Sequence, residues 1–239
     1  MNSESTPLKT IRLFRTAPHG CSYLRSEEAT TLFVDPDVKI SQRLNTRLSE
    51  KGFRRSGAHI YKPDCVNCKA CVSSRILVNQ FAFKRRYNKL LNRNADLRVE
   101  EVENLDCPQA YDLYCKYIIE RHADGDMFPP NQEQYGSFIA NKVEGTRFFM
   151  FRQDEKLIAV SVVDQLEDAL SAVYTFFDPG QARRSLGNYV ILWQIQQARK
   201  IGLPYLYLGY WVKGCQKMSY KSNFRPIEML LNNRWVRLN

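Results

Sequence analysis

Three cysteines stand at two-residue intervals in the first third of the chain, at Cys65, Cys68 and Cys71. Gaps of two residues let a tight turn direct successive sulfur atoms at one point, and several thiolates at one point are typical of zinc or iron–sulfur sites. A fourth ligand is needed from elsewhere, and Cys21 in a Gly-Cys-Ser-Tyr turn is the candidate. The bacterial ferredoxin pattern does not fit, because Arg75 stands where its next cysteine would be. We expect a metal ion or cluster at these cysteines at some stage, or else reduced structural thiols.

The remaining cysteines, Cys107, Cys115 and Cys215, have no such spacing and are interpreted as structural. A cytoplasmic location is expected, because the polar residues 1–5 lack the apolar region of a signal peptide. The longest apolar stretch, residues 157–163, is too short to span a bilayer. In that compartment thiols stay reduced, so ligation or burial is favoured over disulfides.

The positive charge of the chain is confined to its N-terminal part. The whole sequence of 239 residues carries a net charge of +10. Residues 1–100 contain 19 Lys and Arg against 9 Asp and Glu, whereas residues 101–239 contain 16 of each. Such asymmetry indicates a polyanionic partner, above all a nucleic acid, with a solvated basic surface as the alternative.

One basic segment could contact RNA directly. Residues 84–93 predict a short helix in which Tyr87 is surrounded by cations. Basic residues around an aromatic ring suit phosphate contacts combined with base stacking, although a charged helix face is often only solvated. The candidates for tRNA binding are Lys84, Arg85, Arg86 and Lys89.

The N-terminal part reads as a small basic α/β domain that ends near residue 100. A strand is expected at residues 11–16, and a helix follows that is capped by Asp35, begins at Pro36 and ends at Gly52. A hairpin is predicted for residues 53–61 and a strand for residues 75–83.

The C-terminal part, residues 101–239, predicts two helices, a three-stranded antiparallel meander, a long helix and a returning strand. The helices fall at residues 111–119, 135–139 and 185–201, and the strands at 147–152, 157–165, 169–177 and 205–212. Alternation places Tyr210 on the same side of the last strand as Leu206 and Leu208. The fold class is therefore α+β, with the element order of the N-acetyltransferase type of acyltransferase.

The loop before the long helix departs from that fold's coenzyme A site. In acetyltransferases this loop has the form Q/R-x-x-G-x-G/A, and its backbone amides hold the pyrophosphate of coenzyme A. Arg184 and Gly187 fit this form, but Tyr189 occupies the last small position. A phenol there would crowd the amides, so a donor other than coenzyme A is favoured.

Seven segments together resemble the arginyl-tRNA:protein transferase family, in the branch of the bacterial aspartate/glutamate leucyltransferases. They are residues 21–24, 52–57, 65–71, 121–125, 171–179, 184–187 and 203–211. The resemblance implies transfer of leucine from leucyl-tRNA to proteins that begin with Asp or Glu, which marks them for N-degron proteolysis. It also implies an iron–sulfur cluster or zinc at Cys21, Cys65, Cys68 and Cys71. Leu24 stands where many arginyltransferases have a second cysteine, which favours the leucyl branch.

The chemistry itself requires no cofactor. An aminoacyl ester is already activated, and an α-amine with a pKa of about 7.7–8.0 is partly neutral in the cytosol. Positioning and oxyanion stabilisation could then supply most of the acceleration. Asp178 is expected to orient or relay a proton from the amine, with Tyr174 and Tyr210 lining the site; alternatively, Asp178 and Pro179 only turn the chain.

A cationic side chain is expected to recognise the acidic N-terminal residue of the acceptor protein. Asn and Gln have nearly the same shape as Asp and Glu, so charge and hydrogen-bond donors must distinguish them. The candidates are Arg54, Arg55, Arg75, Lys217, Lys221 and Arg225. Three alternative functions remain. The protein could use an arginyl donor with the same acceptors, it could be a coenzyme A dependent N-acetyltransferase, or it could be a metal-binding RNA protein without enzymatic activity.

Overall fold

The N-terminal third folds around a small sheet with one helix. The computed structural model describes residues 11–239, so the polar residues 1–5 lie outside the described part. The strands are β1 (Leu13–Arg15), β2 (His19–Gly20), β3 (Glu28–Ala29), β4 (Thr31–Val34), β5 (Arg54–Ser56) and β6 (His59–Pro63), with helix α1 (Gln42–Glu50) between β4 and β5. The sheet has the order β1-β4-β6-β5, and β2 pairs with β3 around the Cys21 turn. The expected strand at 11–16 and the hairpin at 53–61 are confirmed.

Helix α1 begins later than predicted. Its N-cap is Ser41, whose side chain accepts a hydrogen bond from the backbone N–H of Leu44. Asp35 instead closes a turn by accepting from the N–H of Asp37. Both residues have capping side chains, but Leu44 and Leu48 must face the core with Val34 and Ile60, and only the later start places them there. Gly52 ends the helix as expected, with a φ of 89°.

The main sheet has eight strands and takes members from both halves of the chain. They are β7 (Cys71–Leu77), β8 (Arg98–Val102), β9 (Thr146–Gln153), β10 (Lys156–Gln165), β11 (Ala169–Phe177), β12 (Tyr205–Val212), β13 (Ile227–Leu231) and β14 (Arg234–Leu238). Their order is β14-β13-β7-β12-β11-β10-β9-β8. The predicted meander is thus confirmed as β9, β10 and β11.

The composition boundary near residue 100 does not separate two sheets. Strand β7 lies between β12 and β13, and β8 forms the opposite edge. The predicted strand at 75–83 is wrong in its bounds, because the chain turns into a 3₁₀ segment at Val78–Gln80. The start of this strand at Cys71 makes the last cysteine of the motif part of the sheet.

Helices cover both faces of the main sheet. They are α2 (Arg85–Arg93), α3 (Pro108–Arg121), α4 (Gln132–Gln134) and α5 (Leu186–Lys200), and α4 continues as a π turn at Tyr135–Ile139. One face packs against α5 and α2 through Ile195 and Leu192, and the other packs against α3 through Tyr114 and Ile118. The result is a mixed α/β architecture. No helix within residues 11–239 is long and apolar enough to cross a membrane.

Strands β11 and β12 pair for only three residues and then separate. They run parallel, with Ala169 to Ser171 opposite Tyr205 to Tyr207. Beyond that point β12 has a bulge before Gly209, which has a φ of 76°. The extra residue reverses the alternation, so Tyr210 lies with Tyr207 near Arg54 and away from Leu206 and Leu208. The predicted orientation of Tyr210 was therefore wrong.

Candidate functional site

Arg54 is a buried cation on the first arm of the hairpin. Its side chain stacks on the ring of Tyr207, 4.6 Å from the ring centroid, and is 5% exposed. The two Nη atoms donate to the carbonyls of Ser49 and Phe53 and to Ser73 Oγ, whereas Nε has no partner within the described residues. Burial lowers the pKa of the guanidinium. The hydrogen-bond partners of this buried positive charge are thus all neutral groups.

Lys221 is a second buried cation next to the first. It lies in the 3₁₀ segment Gln216–Asn223, which follows β12, and is 7% exposed. Its Nζ donates to the carbonyl oxygen of Tyr210 at 2.6 Å. Burial, reinforced by the nearby charge of Arg54, lowers the pKa of Lys221 to about 8.

Tyr210 connects the two cations to the hairpin. Its hydroxyl donates to the carbonyl of Gly52 at 2.7 Å, and the carbonyl oxygen of Tyr61 lies 3.2 Å from the same hydroxyl. Burial raises the pKa of this hydroxyl far above its usual value, so it remains protonated. Tyr210 therefore holds the end of β12 against Gly52, which ends α1, and against β6 through its hydroxyl, while its carbonyl accepts from Lys221.

The other four candidate readers of an acidic side chain are already engaged. Arg55 forms a bidentate pair with Asp164, and both side chains are buried. Arg75 lies between the rings of Tyr205 and Trp235 and pairs with Glu228 at 2.7 Å.

The remaining two candidates lie at the surface. Lys217 pairs with Asp124 at 2.7 Å, and both are half-exposed. Arg225 is exposed and donates to the carbonyls of Ser222 and Asn239. Of the six candidates, the structure therefore brings only Arg54 and Lys221 together as buried cations without a carboxylate among the described residues.

The four cysteines predicted as ligands line a single cavity. Its volume is about 340 Å³, and Cys21, Cys65, Cys68 and Cys71 all contribute to its wall. The sulfur of Cys21 accepts from the backbone N–H groups of Tyr23 and Leu24, at 3.5 Å and 3.4 Å. Burial, together with the neighbouring sulfurs, raises the pKa of Cys71 to about 12.

The arrangement of the thiols does not itself form a ligand set. Soft sulfur donors suit zinc or an iron–sulfur cluster. Yet in the part of the chain from residue 11 onwards, no three His, Cys, Asp or Glu side chains stand close enough together to hold one ion. The donor chemistry thus fits a metal and the side-chain positions do not. A metal at these cysteines stays a prediction.

Cys215 joins this group, which the sequence did not indicate. It is close enough to Cys71 to contribute to that residue's raised pKa, and it also lies beside Lys221. Gly214 packs next to Leu24 of the Cys21 turn, which explains how the two segments meet. No spacing rule links Cys215 to the motif, because Cys215 and Cys71 are 144 positions apart.

Asp178 is buried and fully engaged. Its Oδ1 accepts from Lys116 at 2.7 Å and from the N–H of Gly180 at 3.0 Å, and its Oδ2 pairs with Lys156 at 3.0 Å. Burial on its own would raise the pKa of this carboxyl, but these hydrogen bonds outweigh it and lower the pKa. The geometry favours the interpretation in which Asp178 shapes the turn after β11.

Tyr174 lies on the α3 face of β11. Its hydroxyl contacts the sulfur of Met127 at 3.4 Å. Burial raises its pKa, with Tyr117 and Tyr114 adding to the shift. Lys116 of the Asp178 cluster belongs to the same helix, so Tyr174 and Asp178 face α3, whereas Tyr210 faces the hairpin.

The predicted basic helix is confirmed as α2, and its candidate residues are exposed. Lys84, Arg85, Arg86 and Lys89 have no carboxylate partner within the described chain. Tyr87, however, is buried and stacks on Phe224 at 5.9 Å, while its hydroxyl donates to the carbonyl of Asn223. The expectation that this ring stacks on a base is therefore wrong, because the ring faces the core.

The loop before α5 is held from outside by an ion pair. Arg184 forms a bidentate pair with Asp96 at 2.8 Å and 2.7 Å. The ring of Tyr189 packs against Phe151, and its hydroxyl lies near this pair. Tyr189 thus occupies space beside the loop.

Comparisons with known proteins agree over almost the whole chain. Residues 19–89 match the model of the arginine-tRNA-protein transferase N terminus, and residues 109–231 match that of the C terminus. A protein of Pseudomonas fluorescens named aspartate/glutamate leucyltransferase is 50% identical over 98% of this chain and 100% of its own. One of the same name from Alcanivorax borkumensis is 50% identical over 96% of this chain and 95% of its own.

Solved structures are similar only at the level of shape. The crystal structure of FemX has 9% identity and a TM-score of 0.43, and covers 88% of this chain and 82% of its own. The structure of L-PGS from Bacillus licheniformis has 9% identity and a TM-score of 0.45, over 60% of this chain and 46% of that one.

Proposed function

Because the chain belongs to the arginine-tRNA-protein transferase family, we propose that it transfers leucine from leucyl-tRNA to the α-amine of proteins that begin with Asp or Glu. One observation carries this proposal: relatives named aspartate/glutamate leucyltransferase share half of their residues with this chain over nearly its full length. The product would enter N-degron proteolysis. We place the reaction in the cytoplasm, where both substrates occur.

The reaction exchanges an ester for an amide. The neutral α-amine attacks the leucyl carbonyl, a C–N bond forms, and the bond from that carbon to the tRNA 3′-terminal ribose oxygen breaks. The proton lost by the amine ends on that leaving oxygen. An α-amine with a pKa of about 7.7–8.0 needs no strong base, so holding the two substrates together is the main task of the protein.

We assign the C-terminal part to the N-acetyltransferase type of acyltransferase fold. The support is the order of elements from α3 to β12 and the early separation of β11 from β12. Such a gap exposes strand N–H groups that can stabilise an oxyanion. Tyr174 and Tyr210 stand on the two strands that border it and are proposed to line the site.

Exposed cations on α2 would bind the tRNA backbone. Lys84 is the N-cap of this short helix and Arg85, Arg86 and Lys89 lie on it, and all four are exposed. Phosphates are the natural partners of such a row, since each contact releases counterions. No role in base stacking is assigned to Tyr87.

A transfer assay tests the proposal. The chain is incubated with leucyl-, arginyl- or phenylalanyl-tRNA and a peptide that begins with Asp, and a peptide that begins with Asn serves as the control acceptor. Leucine transfer to the Asp peptide alone is expected. Arginine transfer would point to the arginyl donor, and acetylation by acetyl-coenzyme A with no transfer from any tRNA would refute the proposal.

A further inference from the structure

Among the residues that the structure describes, every buried charge but two is neutralised by an opposite charge. Within residues 11–239, the charged side chains that are buried are Asp35, Arg54, Arg55, Arg75, Asp164, Asp178 and Lys221. Asp35 pairs with Arg12, Arg55 with Asp164, Arg75 with Glu228, and Asp178 with Lys116 and Lys156. Arg54 and Lys221 have no carboxylate partner in this part of the chain.

The two exceptions both contact Tyr210, Arg54 at 6.0 Å from its ring centroid and Lys221 at its carbonyl oxygen, so each adds to the electrostatic cost of burying the other. Like charges in a buried place repel each other, and a buried unpaired charge destabilises a protein strongly. Both cations also have donor capacity to spare. Lys221 Nζ carries three protons and uses one on the carbonyl of Tyr210, and Arg54 Nε has no acceptor within the described residues. A bound anion would satisfy both the charge and the donors.

The cavity lined by the cysteines borders two residues that contact these cations. Ser73 and Tyr210 form part of its wall. Ser73 Oγ accepts from Arg54, and the carbonyl of Tyr210 accepts from Lys221. Gly209 also adjoins Lys221, since a Cβ at that position would lie in ordinary contact with Nζ, at 3.7 Å.

We propose that Arg54 and Lys221 together bind the side-chain carboxylate of the acceptor's N-terminal Asp or Glu. This inference rests on the proposed function and names the residues that set its acceptor specificity. Arg54 is fixed by its stacking on Tyr207, whereas Lys221 sits on a flexible alkyl chain, so the pair can accept both side-chain lengths. An Asn or Gln amide brings no charge and turns an NH₂ donor toward cations, so it is rejected.

The test replaces the lysine and compares two acceptors. Lys221→Met removes the charge and keeps the chain length, and Lys213→Met, at an exposed lysine eight positions earlier, is the matched control. kcat/KM is measured for peptides that differ only in an N-terminal Asp or Asn, and leucyl-tRNA affinity is measured separately. We expect Lys221→Met to lower kcat/KM for the Asp peptide by roughly ten- to a hundredfold, since a charge-assisted hydrogen bond is removed. The Asn peptide and the tRNA affinity should change little.

Each other outcome has a definite meaning. If Lys221→Met lowers kcat/KM by the same factor for the Asp and Asn peptides, or lowers it for neither, Lys221 has no part in acceptor selection and the inference is overturned. Lys221→Arg, which restores the charge, should recover part of the preference for Asp. If the wild-type chain transfers no leucine to the Asp peptide, the proposed function fails instead. Binding of the Asp peptide, measured by its thermal stabilisation of wild type and Lys221→Met, then still tests the anion site.

Discussion

Arg55 is expected to act as a structural link and to take no part in reading the acceptor. Its Nε and Nη2 donate to the two oxygens of Asp164 at 2.6 Å and 2.7 Å, and the two side chains are 2% and 1% exposed. This pair ties β5 of the small sheet to β10 of the main sheet. Arg55→Met removes the cation and leaves the Asp164 carboxylate buried; from residue 11 onwards, its remaining side-chain hydrogen bonds come from Thr146 and Asn45.

The expected loss of unfolding free energy follows from that geometry. Breaking a buried ion pair by removing one partner costs about 3–5 kcal/mol, which is a large fraction of the roughly 5–15 kcal/mol that stabilises a typical domain. Urea unfolding at neutral pH measures it. Asp164→Asn added to Arg55→Met removes the stranded negative charge and should recover part of the loss. Arg147→Met is the control, because its bidentate pair with Glu101 is partly exposed and contributes about 0–1 kcal/mol.

Two results would refute this reasoning. The free energy of unfolding of Arg55→Met could lie within about 1 kcal/mol of the wild-type value, as expected if the ion pair were exposed. Alternatively, the folded variant could lose its preference for Asp over Asn peptides in the transfer assay. In either case Arg55 would not be the link that its hydrogen bonds with Asp164 describe.

Three further predictions concern the cations and the thiols. Lys221 has a lowered pKa of about 8, is faced by Arg54 and Cys215, and is charged below that pH. The ratio of kcat/KM for Asp over Asn peptides should therefore fall as pH rises through 8 in the wild type and stay flat in Lys221→Met. A variant in which neutral residues replace Lys84, Arg85, Arg86 and Lys89 tests the role of α2. The slope of log tRNA affinity against log salt should flatten by about 0.7–0.9 for each phosphate that the helix no longer neutralises. An unchanged slope would exclude this helix from the tRNA-binding site. If the four thiols of the cavity hold a metal, Cys68→Ser should lower metal content and thermal stability together after anaerobic purification, whereas full stability without metal would make them structural.

Regular elements could be predicted from the sequence, and their partners could not. The meander, α5 and β12 follow from periodicity because their apolar residues repeat over many positions. The bulge before Gly209 could not be predicted in this way, since one extra residue reverses every later side chain, and this misplaced Tyr210. The start of α1 was missed because Asp35 and Ser41 are equally good caps and only tertiary packing decides between them.

The candidate site shows the same division. The six cations were found by residue type, but their neutralisation depends on pairing across long stretches of chain. Arg55 and Asp164 are 109 positions apart, and Arg75 and Glu228 are 153 apart. Cys215 approaches the other thiols for the same reason. Residue type thus indicated the chemistry, and only the fold separated the free cations from the paired ones.

The position of β7 has a consequence for synthesis on the ribosome. This strand leaves the ribosome early, yet both of its neighbours, β12 and β13, are made from the last part of the chain. Until residues 205–231 emerge, both edges of β7 remain unpaired, and such edges can template aggregation. The nascent chain must therefore wait for its final strands, and a message truncated before residue 227 would yield a product whose main sheet lacks two strands and ends at an open edge.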